Sequence, residues 1–333
     1  MEGLNLYRVI HFLRHPVGGF SLERLFEDIR ENLPADIEVT TRVSRYPSKG
    51  IWRRLYNIIE ASFHQGDVNH ITGDVHFLNY FFKKRKTILT IADLHFLERS
   101  AGIRHWLLWF LWFYLPVKKS TLVTVISEAT KDKLLKYVSV PKDKLRVVYC
   151  HVSDEFYHNP KFFNQQLPRL LVVGTKKNKN IERIFEAIIG IDCILMIVGK
   201  LSSSHTAFLS KNCINYENYV NLSRSELLNK YNECDMLVFP SVYEGFGLPI
   251  VEANAIGRPV VTSNILSMPE VAGDAACLVD PLEPSCIRAG ILKVIKDENY
   301  RNKLIDNGFN NIERFKLSNI AEQYADIYRE IAR

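Results

Sequence analysis

Residues 239–263 read FPSVYEGFGLPIVEANAIGRPVVTS. Met236–Pro240 is a short apolar strand pattern, and Ser241–Gly247 is a loop holding two glycines. Pro249 suits the first turn of a helix, since it needs no donor there and its φ is preset. Gly257 closes that helix and Pro259–Thr262 begins the next strand. A strand–loop–helix–strand unit of this kind places its loop and helix N-terminus at the carboxyl edge of a parallel sheet, where α/β folds bind ligands. Backbone N–H groups of Gly245, Phe246 and Gly247 are available there for a ligand oxygen, and the helix end favours anions. Glu244 lies in the loop and Glu252 early in the helix, with seven residues between them. Carboxylates so placed suit the vicinal hydroxyls of a sugar or ribose, although the helix dipole alone also favours a Glu near a helix start.

The same alternation continues outward in both directions. Strands are expected at Leu6–Leu13, Ile37–Val43, Val68–Thr72, Thr87–Ala92, Leu122–Ile126, Leu145–Tyr149, Arg169–Val173, Ile194–Val198, Met236–Pro240, Pro259–Thr262 and Cys277–Val279. Helical patterns fall near 19–33, 51–62, 75–82, 103–115, 127–138, 180–189, 223–232, 249–256, 282–295 and 317–331. Val- and Ile-rich strands alternating with helices predict an α/β fold. The chain has 333 residues, enough for two domains of about 150. The expectation is two doubly wound, Rossmann-like parallel-sheet domains facing a central cleft. The polar, proline-bearing stretch 158–168 reads as a linker between a domain over 1–157 and another over 169–313.

Composition removes several classes. Hydrophobic residues at 47% and charged residues at 24% exclude a disordered or fibrous chain. The six cysteines form no C-x-x-C pair and lie mostly in apolar runs, so reduced thiols in a cytoplasm are expected. The first residues carry no basic region before their apolar stretch, so no signal peptide is expected. No apolar run reaches the roughly 20 residues of a membrane span. The excess of six positive charges falls in residues 1–160, while the remainder is balanced. This asymmetry suits an anionic partner such as a membrane surface or a phosphate-bearing ligand; no nucleic-acid partner is expected.

Further candidates flank the opening motif. Lys176, Lys177 and Lys179 follow the strand 169–173 and its Gly174, and a helix begins at Asn180. Cations beside a helix N-terminus make a diphosphate site. Gly18 and Gly19 follow the first strand and precede a helix, with no G-x-G-x-x-G. Asp93 and His95 lie at the carboxyl tip of the strand in TIADLH, where Asp93 either faces a ligand or caps the next turn.

Residues 235–281 resemble the donor-site signature of the family-four retaining glycosyltransferases, which have the GT-B architecture. Residues 172–188, 125–137 and 314–331 resemble other parts of that family, the last its closing helix, which crosses back to the first domain. The resemblance implies that Glu252 binds the nucleotide ribose and Glu244 the donor sugar. It implies that the amides of Gly245, Phe246 and Gly247 hold sugar and diphosphate, that Lys179 and Gly174 form the diphosphate site, and that Gly18 and Gly19 approach donor or acceptor. Family members often carry His-Asp in the TIADLH strand; here Ala92 occupies the His position and Asp93 the other. The implied activity is transfer of a sugar from a nucleotide diphosphate sugar, GDP-mannose before UDP-sugars, to a hydroxyl of a glycan or lipid-linked glycan. The setting would be assembly of cell-surface polysaccharide or lipopolysaccharide. No D-x-D occurs, so no metal cofactor is expected and lysines with helix dipoles would neutralise the leaving group. A nucleotide-sugar 2-epimerase of the same fold and a non-catalytic nucleotide-sugar-binding subunit are the competing readings.

One run remains. Trp106–Leu115 is ten consecutive apolar residues with three Trp, flanked by Arg104, His105, Lys118 and Lys119. It is apolar all round, which favours burial. Its aromatic and cationic neighbours also suit docking on the inner face of an anionic membrane.

Overall fold

The computed structural model describes residues 6–16, 21–98 and 100–333. Gly18 and Gly19 lie outside the described residues. There are two compact units: one runs to His151 and resumes at Leu317–Arg333, and the other is Val152–Lys316. Each is built on a six-stranded sheet that is parallel throughout, covered by helices.

The first unit carries β1 (Tyr7–Leu13), β2 (Ile37–Val43), β3 (Val68–Ile71), β4 (Thr87–Ile91), β5 (Leu122–Val125) and β6 (Leu145–Val147), in the order β2-β1-β3-β4-β5-β6. Val9 pairs with Val39 on one side and Val68 on the other. Every residue of β3, β4 and β5 is buried, as a sheet covered on both faces requires. The second unit carries β7 (Arg169–Val173), β8 (Ile194–Val198), β9 (Tyr216–Tyr219), β10 (Met236–Phe239), β11 (Val260–Ser263) and β12 (Ala276–Val279), in the order β12-β11-β10-β7-β8-β9. Its helix Ile181–Ile188 buries Ile184, Phe185 and Ile188 against the sheet. In each sheet the chain reverses its direction of winding once, between β1 and β3 and between β7 and β10. Such a reversal opens a crevice at the strands' carboxyl ends.

The expected strands stand within one or two residues of those observed, and β9 was not expected. Tyr216-Glu217-Asn218-Tyr219 is a polar edge strand and carries no run of Val or Ile. The helices Ser203–Lys211 and Glu298–Asn311 also escape a periodicity search. They are polar and are started by Ser202 and Asp297 as side-chain caps. Residues 76–81, expected as α-helix, wind as a 3-10 helix. Residues 158–168 form neither helix nor strand and are tied to the second unit through buried Asp235. Its carboxylate accepts from Lys161 Nζ at 2.7 Å, Asn164 N at 3.2 Å and Arg169 N at 2.7 Å.

The aromatic run divides into helix Gly102–Leu108, a π-helical turn Trp109–Tyr114 and helix Leu115–Lys119. Trp109 Nε1 donates to Tyr137 O at 2.8 Å, Trp112 stacks edge-on with Phe77, and Phe113 is buried. The run thus turns one side to the core and leaves Ile103, Trp106 and Leu107 of the preceding helix, and Leu111 of the π turn, outside. Among the described residues no helix is long and apolar enough to cross a membrane.

The helix Leu317–Ala332 belongs to the first unit. Arg329 forks onto Asp36 at 2.8 and 3.0 Å, which holds the Asp36 carboxyl below its usual range. Deeper, the Tyr328 hydroxyl meets His11 Nε2 and His70 Nδ1, each at 2.8 Å. His70 Nε2 continues to Thr90 Oγ1 at 2.7 Å and on to Thr124 Oγ1 at 2.6 Å. Burial holds both imidazoles neutral, His70 down to about 3 and His11 well below its ordinary value. The unfolded chain protonates these rings near pH 6.5. Below that pH it binds more protons than the native state, so the stability due to burying neutral rings is lost as pH falls. Tyr328→Phe leaves buried ring nitrogens without their partner and is expected to cost about 1–3 kcal/mol in urea unfolding at pH 7.5. A loss below a few tenths of a kcal/mol would show that the network does not hold this helix.

Candidate functional site

The crevice of the second unit is built by the two loops that leave β7 and β10. β7 is followed by Gly174, whose φ is +94°. A Cβ there would stand 3.0 Å from the Lys179 stem, so the glycine both makes the turn and lets that side chain lie across the backbone. The loop makes one 3-10 turn, Lys177–Lys179, and stops at Asn180, which is left-handed at φ 61°. Asn180 is buried, and its Nδ2 donates to Pro240 O at 3.0 Å and Pro281 O at 2.6 Å. One amide therefore staples the β7 loop to the ends of β10 and β12. Val242 N donates back to Asn178 O at 2.9 Å, and Asn178 Nδ2 to Tyr243 O at 2.9 Å.

The two loops then meet through charge. Lys179 Nζ donates to Glu244 Oε1 at 2.7 Å and lies 4.6 Å from the centre of the Phe239 ring. Both side chains of the pair are less than one-fifth exposed. Lys176 and Lys177 stand in solvent; of the three lysines only Lys179 enters the crevice. Gly247, at φ 117°, starts the helix Leu248–Ile256, and Pro249 occupies its first turn. Phe246 is buried edge-on against Phe315 at 5.5 Å, so its side chain anchors the loop that carries Glu244.

Glu252 lies on that helix, and its Oε2 accepts from the Tyr231 hydroxyl at 2.5 Å. Burial raises the Glu252 carboxyl above its usual range, opposed by the Tyr231 hydrogen bond and by the charges of Lys179 and Arg224. Tyr231 is fully buried and packs edge-on with Phe156. Tyr231 and Arg224 were not found from sequence. The available signal was a Tyr on the inner side of a polar helix, whose hydroxyl must find a partner when buried. Lys179, Glu244, Glu252 and Gly174 are thus brought together with Gly247.

The crevice of the first unit holds the remaining candidate. Asp93 is exposed just past β4, and its Oδ1 accepts from His95 N at 2.9 Å, so it caps the short helix His95–Glu98. A residue not expected from sequence stands beside the winding reversal: Asp74, just past β3. Burial pushes its carboxyl up to about 6, with Arg14 opposing and Asp93 adding to the rise. Arg14, just past β1, is forked on Glu23 at 2.6 and 3.2 Å. A carboxyl raised in the native state binds a proton there before it does so unfolded, so stability falls as pH rises from about 4 to 6. Asp74→Asn removes that penalty. Its melting temperature is expected to exceed wild type at pH 7.5 by the equivalent of about 1–3 kcal/mol and to match it near pH 4. An unchanged or lowered value at pH 7.5 would mean that the ionised carboxylate is well satisfied.

Residues 153–311 match the family model described as glycosyl transferases group 1, almost the whole of the second unit. The O-antigen chain mannosyltransferase B of Escherichia coli is 39% identical over 99 residues, covering 30% of this chain and 26% of that one. The matched stretch is therefore about a quarter of that relative's length. Among solved structures, a glycosyltransferase from Rickettsia africae superposes with a TM-score of 0.76 at 16% identity, over 99% of both chains. HepE of Anabaena, crystallised with UDP and glucose, gives 0.76 at 15% identity over 97% of this chain and all of that one. At such identities the likeness speaks for the fold, two parallel-sheet units in the GT-B manner. It is thus the second unit, through residues 153–311, that resembles the glycosyl transferases group 1 family.

Proposed function

We propose that the protein transfers a sugar, with retention of anomeric configuration, from a nucleotide diphosphate sugar to a hydroxyl of a glycan or lipid-linked glycan. The observation that carries this reading is the Lys179–Glu244 pair beside Glu252, at the tips of two neighbouring strands. In this reading Glu252, oriented by Tyr231, accepts from the ribose hydroxyls. Glu244 turns to the hydroxyls of the donor sugar as Lys179 leaves it for the diphosphate. The bond from the anomeric carbon to the diphosphate breaks, and the acceptor oxygen takes its place on the same face. The acceptor proton passes to the departing phosphate oxygen. Lys179 and the start of the Leu248–Ile256 helix stabilise the charge that develops, so no metal is required. Mannose as the transferred sugar is favoured by the mannosyltransferase relative; GDP is taken as its carrier, and assembly of cell-surface polysaccharide or lipopolysaccharide is the setting. Asp74 and Asp93 lie at the strand tips of the first unit, where the acceptor hydroxyl would bind.

A thermal-shift panel of GDP, UDP and their sugars tests the donor. A ligand at 100 times its Kd raises stability by about 2.7 kcal/mol, and GDP-mannose is expected to give the largest shift. No shift with any nucleotide sugar would defeat the reading.

Three substitutions then separate the roles. Glu252→Ala should weaken binding of the bare nucleotide by roughly 1.5–3 kcal/mol. Glu244→Ala should leave that affinity intact and lower kcat. Lys179→Ala should lower transfer by about 10²-fold or more, while wild-type activity persists in EDTA. Equal loss of nucleotide affinity in the two Glu variants, or activity abolished by EDTA and restored by manganese, would contradict this division of labour.

A further inference from the structure

The helix Ile51–Ser62 is apolar on two opposite sides. Asn57, Ile58 and Ala61 are buried against the first unit. On the other side Ile51, Trp52, Leu55, Tyr56 and Ile59 face solvent, followed by Phe63 just past its end; Trp52 is 79% and Phe63 80% exposed. Their spacing places them on one stripe of the helix surface. Large apolar side chains scattered singly need no explanation, whereas six on one face mark an interaction surface.

Charge states the partner. From Arg42 to Ile59 the chain holds Arg42, Arg45, Lys49, Arg53 and Arg54 and no Asp or Glu. Arg45 lies 5.9 Å from the centre of the Tyr56 ring, and Arg54 is held by Ser48 O and covers the Trp112 ring at 4.6 Å. Arg42, Arg45, Lys49 and Arg53 are exposed. A two-fold pairing of copies through this face would set cation against cation. An anionic bilayer complements both features, taking the apolar stripe at the acyl boundary and the cations at the headgroups. In the run at 106–115, Leu108, Trp109, Trp112, Phe113 and Tyr114 pack on the core and Trp106, Leu107 and Leu111 are exposed, so its outer face is smaller than the stripe of six on the Ile51–Ser62 helix and is not the principal contact.

We infer that the Ile51–Ser62 helix is an in-plane membrane-docking element that inserts Ile51, Trp52 and Phe63 into an anionic lipid surface. This rests on the reading of the acceptor as lipid-linked, and places the first unit at the surface that carries it.

The test is cosedimentation of the full chain with vesicles of phosphatidylcholine alone and with added phosphatidylglycerol, at low and high salt. Wild type should pellet with the anionic vesicles at low salt and be released by high salt. The variant Ile51→Ser/Trp52→Ser/Phe63→Ser and the variant Arg45→Ser/Lys49→Ser/Arg53→Ser should each partition at least about tenfold less. Trp106→Ser should partition like wild type. The thermal shift with nucleotide sugar should be unchanged in every variant, which separates loss of docking from loss of fold or of donor binding. Wild type remaining in the supernatant at low salt would overturn the inference. So would undiminished binding of the triple apolar variant, or loss confined to Trp106→Ser. Concentration-dependent dimerisation abolished by the apolar variant would instead assign the face to self-association.

Discussion

The candidate site depends on one buried side chain whose amide is fully engaged within the protein. Asn180 holds the end of the β7 loop in a left-handed conformation and ties it, by two amide hydrogen bonds, to the carbonyls that end β10 and β12. Asn tolerates that backbone better than other residues with a side chain, and its amide can serve two carbonyls at once. With the loop so fixed, Gly174 clears the path for the Lys179 stem and Lys179 meets Glu244. Three separate chain segments become a single rigid crevice edge. Such rigidity is what electrostatic stabilisation of a leaving group requires, because charges already in place cost no reorganisation when the bond breaks.

The Lys179–Glu244 pair is itself a modest stabiliser, since a partly exposed ion pair contributes little to folding. In the proposed reaction its value lies in being exchangeable. A diphosphate offers Lys179 more charge than one carboxylate does, and release of Glu244 frees an acceptor for sugar hydroxyls. The neighbouring Glu252 is held differently. Its partner Tyr231 is neutral and fully buried, so it orients the carboxylate without neutralising it. The site thus combines one charge pair that a ligand can open with one carboxylate already aimed.

Both sheets and nearly all their strands were legible in the sequence, because buried parallel strands must be written in Val, Ile and Leu. Arg169–Val173 and Ile194–Val198 are examples. What stayed hidden was polar: the edge strand β9, the capped helices at 203–211 and 298–311, and residues 158–168, which Asp235 binds to the second unit. The loops that leave β7 and β10 were legible from their glycines, their proline and their paired Glu. Their cross-connections were not, since the contact between Asn180 and Pro281 spans a hundred residues and has no local signature. Tyr231 and Asp74 escaped for the same reason: their significance comes from burial that only the assembled sheet creates. The 103–119 run shows the limit from the other side. Its apolar pattern favoured both core and surface, and the run satisfies both by turning Trp109 and Phe113 inward while leaving Trp106 of the preceding helix outside.

The most direct measurement of the central claim is a crystal structure with an intact nucleotide sugar bound. The account predicts that Lys179 Nζ has left Glu244 for a diphosphate oxygen, that Glu244 accepts from the sugar, and that Glu252 accepts from the ribose with Tyr231 still donating to it. A nucleotide sugar bound elsewhere while Lys179 and Glu244 remain paired would contradict it.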